Sequence, residues 1–167
     1  MRKLIVAVLI VVGVTSALTA SSVLASPRAS ATYRGHGVDV FNNGPHWKPA
    51  PGAVQPISFQ VSKDGTRVLH FRGRYAYYCG AGTSSITAAS LKIRHGQFGG
   101  TGTRSNQNGT HYFALSGRFS ADGRTATVTY LDDFVYKGKA VKHPYSFAYH
   151  PAAQACESRV TGTVRAA

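Results

Sequence analysis

The octapeptide RGRYAYYC, Arg72 to Cys79, sets two arginines, three tyrosines and a cysteine side by side. Guanidinium groups present a planar fork of donors that matches oxyanions, and tyrosine rings stack on sugars or bases. The chemistry this suits is the holding of a polyanion. On a strand, successive side chains alternate between faces. Tyr75, Tyr77 and Cys79 would then share one face, and Arg72, Arg74 and Tyr78 the other. A bridged cysteine is normally buried, which directs Tyr75 and Tyr77 to the core and leaves Arg72, Arg74 and Tyr78 outward. The stretch Leu91-Lys92-Ile93-Arg94 alternates in the same way and turns Lys92 and Arg94 outward. Arg72, Arg74, Tyr78, Lys92 and Arg94 are therefore the candidate polyanion-binding residues. The competing reading is an ordinary solvated strand. The basic run KGKAVKH, Lys137 to His143, reads as a charged loop that would add to the face if it met it.

Residues for bond-breaking chemistry are scarce. There is no G-x-S-x-G elbow, and no H-E-x-x-H helix, since Glu157 is the sole glutamate. Glycoside hydrolysis needs two carboxylates across a cleft. Asp64 and Asp122 sit in turns, and the adjacent Asp132 and Asp133 point to opposite faces of a strand, leaving Asp39 with Glu157 or Asp132. The seven histidines show no metal-ligand spacing, so neither a metal nor a cofactor is implied. Trp47, in GPHWKPAPG, is the single tryptophan. It either stacks on a sugar ring or pins the N-terminal segment to the core.

The N-terminus reads as an export signal. Arg2 and Lys3 precede the apolar run LIVAVLIVVGV, and Val23-Leu24-Ala25 supplies a cleavage site after Ala25, with Ala29-Ser30-Ala31 as the second choice. An uncleaved anchor is the rival reading, weakened by five Ser and Thr between Thr15 and Ser22. Cleavage would leave 142 residues with 17 Lys and Arg (all 19 but Arg2 and Lys3) against six acids, a formal charge of +11. Such an excess attracts polyanions at long range and says nothing of fold. Cys79 and Cys156 form an even pair, which in an exported chain reads as a disulfide. Closing so long a loop would contribute about 4.5 kcal/mol in the chain-entropy model.

The elements that must position these residues are strands. Residues 26–56 read as an irregular segment rich in Gly, Pro and Asn, with one short strand at Gly37 to Phe41. From Ile57 the pattern is β: Ile57, Phe59 and Val61 alternate with polar residues, and Ser62-Lys63-Asp64-Gly65 turns the chain into Thr66 to Phe71. Ser120-Ala121-Asp122-Gly123 repeats the device 58 residues later, a hint of internal duplication. Further strands fall near Ser90–His95, Pro144–His150 and Glu157–Arg165, and no segment has helical periodicity. Eight to nine short strands with frequent turns predict an all-β fold, an antiparallel β-sandwich of jelly-roll character spanning 57–165 with one disulfide.

The residues ISFQVSKDGTRVLHF (57–71), Cys79, GRFSADGR (117–124) and Cys156 resemble a set of small exported proteins of high-GC Gram-positive bacteria. That resemblance implies an all-β domain with one cysteine bridge and brings no activity with it. The chain departs from the set in lacking an aromatic residue after its last cysteine. The expectation is a secreted, non-enzymatic β-domain whose partner is an extracellular polyanion or cell-wall polysaccharide. The alternatives are a structural or inhibitory protein and a hydrolase with an unrecognised site.

Overall fold

A computed structural model of the chain describes residues 25–43, 46–76, 82–145 and 155–167, with the side chains of 42–52 and 155 outside that description. Among the described residues there are eight strands and no helix: β1 (Thr32–Asn43), β2 (His46–Val61), β3 (Arg67–Ala76), β4 (Thr83–Lys92), β5 (Gln97–Asn106), β6 (Gly109–Phe119), β7 (Thr125–Tyr136) and β8 (Ala155–Ala166). All pairs are antiparallel, in the single order β4-β3-β2-β1-β8-β7-β6-β5.

The expectation of a sandwich with jelly-roll character is corrected by this order. There is one sheet, rolled into a nearly closed barrel, in which each strand lies beside its neighbour in sequence. The terminal strands β1 and β8 pair over nine positions, from Tyr33↔Ala166 to Phe41↔Ser158. The remaining edges, β4 and β5, are not paired with each other among the described residues; the bridge Arg94↔Gln97 closes the turn between them. Alternation cannot distinguish the two architectures, because a barrel and a sandwich bury the same alternate residues. The glycines of the β1–β8 seam decide for closure. A Cβ on Gly162 would stand 2.4 Å from the Gly37 Cα and 2.3 Å from the His36 carbonyl, so only glycine lets these strands approach and bend.

Residues 26–56, expected to be irregular, hold β1 and most of β2. Their glycines and prolines conceal the alternation, and a bulge between Val38 and Val40 breaks its phase. Pro144 and Tyr145, expected to open a strand, lie in a turn, and 146–150 are outside the described residues.

Both S-x-D-G turns form as read. Gly65 and Gly123 are left-handed (φ 71° and 64°), and each donates its N–H to the serine carbonyl three residues back. They connect β2 to β3 and β6 to β7, the equivalent joints of two four-stranded halves. The core is aromatic. Tyr33 stacks on Phe59 at 4.9 Å between ring centroids, while Phe98 and Phe119 meet Phe59 edge-on and Tyr130 meets Phe71 edge-on. Such pairs contribute about 0.5–1.5 kcal/mol each beyond burial. This plug fills the barrel end reached by the β2–β3 and β6–β7 turns.

Candidate functional site

The outward arginines of β3 are where the alternation puts them. Arg72 and Arg74 are exposed, and the buried Gly73 and Tyr75 that alternate with them face inward. Arg72 sits opposite Ser58 on β2, Ser58 opposite Arg34 on β1, Arg34 opposite Arg165 on β8, and Arg165 opposite Thr125 on β7. With strands about 4.8 Å apart, Arg72, Arg34 and Arg165 form one row across four strands, and Arg74 lies about 7 Å along β3 from Arg72. All four are exposed. Among the described residues no carboxylate lies within ion-pair distance of any of them.

Lys92 and Arg94 are also exposed but belong elsewhere. Lys92 faces Arg67, five positions along β4 from Thr87, the partner of Arg72. That separation is about 17 Å. The run Lys137–His143 follows β7 at the far end of the barrel from Arg165, so it does not join the row. Tyr78 and Cys79 lie outside the described residues. Trp47 pairs with Asn42 at the start of β2, and its side chain is outside the description. Arg34 and Arg165 were not singled out by sequence. Each stands in an alternating segment, but only the β1–β8 register makes them neighbours.

The acids explain why this face is uncompensated. Asp64 and Asp122 are held in the hairpin turns. The Asp64 carboxyl is lowered to about 2, first by the Ser62 hydroxyl and then by the Thr66 N–H. The other four acids, Asp39, Asp132, Asp133 and Glu157, are all buried, in the half of the barrel away from the aromatic plug. Asp132 faces inward, accepting a 2.6 Å bond from the Tyr75 hydroxyl and lying 2.9 Å from His111 Nδ1. Asp39 accepts from the Ala76 N–H at 2.5 Å and from Ser158 Oγ at 2.7 Å. Burial raises the Asp39 carboxyl, against the pull of these donors. Burial also raises the Tyr75 phenol, reinforced by the Asp132 charge.

Asp39 and Asp132, one pair considered for acid–base work, thus converge on one end of the barrel. Each is already engaged by protein donors, and the Ser158 hydroxyl donates its hydrogen bond to Asp39 rather than being aimed as a nucleophile. Asp133 points to the outer face opposite Glu157, and both are buried. There Tyr145, from the segment after β7, packs edge-on against Tyr112, the β6 neighbour of Asp133. Cys156 is buried at the start of β8, opposite Phe134.

A scan against protein-family models and a search of curated proteins both find no match to this chain. Among the described residues, no helix is long and apolar enough to cross a membrane.

Proposed function

We propose that this is an exported, non-enzymatic β-domain that binds extracellular polyanions, such as anionic cell-wall polymers, acidic glycans or released DNA, through the outer face of β3, β2, β1 and β8. The observation that carries the reading is the row Arg72–Ser58–Arg34–Arg165, with Arg74 beside it and no described carboxylate in reach. A polyanion bears closely spaced charges, so several guanidinium groups 5–10 Å apart can engage it at once, each releasing condensed counterions. Serine and threonine hydroxyls between the arginines offer further donors to phosphate or sugar oxygens. The centre of the site is accordingly Arg34, Arg72, Arg74 and Arg165, with Lys92 and Arg94 as a separate basic pair near Arg67.

The proposed form is held by a Cys79–Cys156 bridge. Its support is local: Asp39 accepts from Ala76 N–H and from Ser158 Oγ, so the chain three residues before Cys79 and two after Cys156 meet at one carboxylate.

Fluorescence anisotropy with a duplex DNA at graded salt tests the binding. Log affinity should fall linearly with log salt, and Arg34→Ser with Arg72→Ser should flatten the slope by about 1.8 if each contacts one phosphate. Lys92→Ser with Arg94→Ser should change it by less than half as much. Absence of binding at low salt, or a slope indifferent to the first pair, removes the proposal.

A further inference from the structure

The seam between β4 and β5 opens away from the turn bridge into a slot of about 260 Å³. Its floor is apolar: Ile86 and Leu91 of β4, and Phe113 and Leu115 of β6. The β5 wall is bare. Phe98, Gly100, Gly102 and Arg104 share the inner face of that strand, and a Cβ built on Gly102 meets no atom within 4 Å. A Cβ on Gly100 would stand 3.3 Å from Leu91 Cδ2, so the open space lies at Gly102, where a side chain would fill it as side chains fill the interior of other eight-stranded barrels. At the end of the bare stretch stands Arg104, which lines the slot and is the charged residue in it. No carboxylate lies within ion-pair distance of Arg104 among the described residues. Its positive charge reaches inward far enough to oppose the rise of the Tyr75 phenol.

We infer that the β4–β5 slot is a binding site for a small apolar carboxylate, whose hydrocarbon body lies on Ile86, Leu91, Phe113 and Leu115 and whose carboxylate pairs with Arg104. The volume is at the small end for ligand sites and suits a body of about ten heavy atoms. An apolar floor with one convergent cation selects for an anion with a hydrophobic tail. A neutral analogue loses the charge-assisted bond, and an amine places like charge against Arg104. The slot's β4 rim, Ser85 and Thr87, lies beside Arg74 and Arg72 of the outer row, so the test must separate Arg104 from those arginines.

Isothermal titration of the intact protein with octanoate, 1-octanol and octylamine tests this. Octanoate should bind in one-to-one ratio, octanol more weakly, and octylamine not measurably. Arg104→Gln should weaken octanoate by about tenfold, as loss of a bond to a charged group implies, and leave octanol within about twofold. Gly102→Val, which adds a β-branched side chain where there is room for it, should abolish binding of both while leaving the thermal melt and the DNA salt slope unchanged. Octanoate that fails to bind, or that binds regardless of both substitutions, overturns the inference. So does octanoate affinity that falls in Arg34→Ser with Arg72→Ser, since the anion would then sit on the outer face.

Discussion

At the scale of single residues, the charge balance of the molecule is settled by where six carboxylates go. Four are buried and two are held in turns, so the excess of arginine and lysine is left uncompensated on the outer face. Two of the buried acids, Asp39 and Asp132, are tolerated because protein donors reach their carboxylates. The Tyr75 hydroxyl is one of these donors, 2.6 Å from Asp132 inside the barrel. Tyr75→Phe keeps the ring packing and removes only the hydroxyl, so it should destabilise by about 1–3 kcal/mol. Urea denaturation should show a lower midpoint at unchanged slope. A loss under about 0.5 kcal/mol would mean that the hydroxyl is no better placed there than in water.

At the scale of elements, the hairpin turns are the most local structures in the chain and the most legible. Ser-x-Asp-Gly encodes its own geometry: glycine takes the left-handed position, the aspartate collects the hydroxyl and N–H groups around it, and the serine hydroxyl accepts the N–H that follows. Because these bonds are to the charged carboxylate, the folded Asp64 has its pKa lowered to about 2 from an ordinary 3.8. A carboxyl lowered on folding stabilises the native state above its unfolded pKa, and that contribution is lost as pH falls through the folded value. Asp64→Asn should therefore lower the melting temperature at pH 6. The gap to the parent should close as pH falls from 3.8 toward 2. A gap that stays constant over that window would assign the effect to shape rather than charge.

At the scale of the whole molecule, the barrel is tied at one seam and open at the other. β1 and β8 pair along most of their length, whereas β4 and β5 are joined by the turn bridge Arg94↔Gln97 and leave the slot between them. The proposed Cys79–Cys156 bridge would reinforce the tied side, joining the end of the β3 segment to the start of β8 and removing loop entropy from the unfolded chain worth about 4.5 kcal/mol. Protein recovered from the culture medium of a secreting host should begin at Ser26 and, unfolded without reductant, show no reactive thiol. Two thiols per chain, or retention of residues 1–25 on the cell, would refute the bridge or the export.

What the sequence determined by itself is whatever is written in neighbouring residues. The β class, the two turns, the inward Tyr75 and the outward Arg72 and Arg74 all follow from alternation with period two and from glycine and aspartate at set turn positions. What only the tertiary structure decided is how segments distant in sequence are registered. One rolled sheet in place of a sandwich follows from β1 meeting β8 across Gly37 and Gly162, 125 residues apart. That meeting sets Arg34 beside Arg165, and the β1–β2 and β2–β3 registers bring Arg72 into the same row. Asp133 and Glu157 are outward by alternation and still buried, because the outer face of β7 is covered from Leu131 to Val135 although Thr127 on the same face is exposed. The β4–β5 slot exists because the sheet stops short of closing where β5 carries glycine in place of side chains. Alternation assigns each residue a face. Which faces meet, and which are covered, is a property of closure.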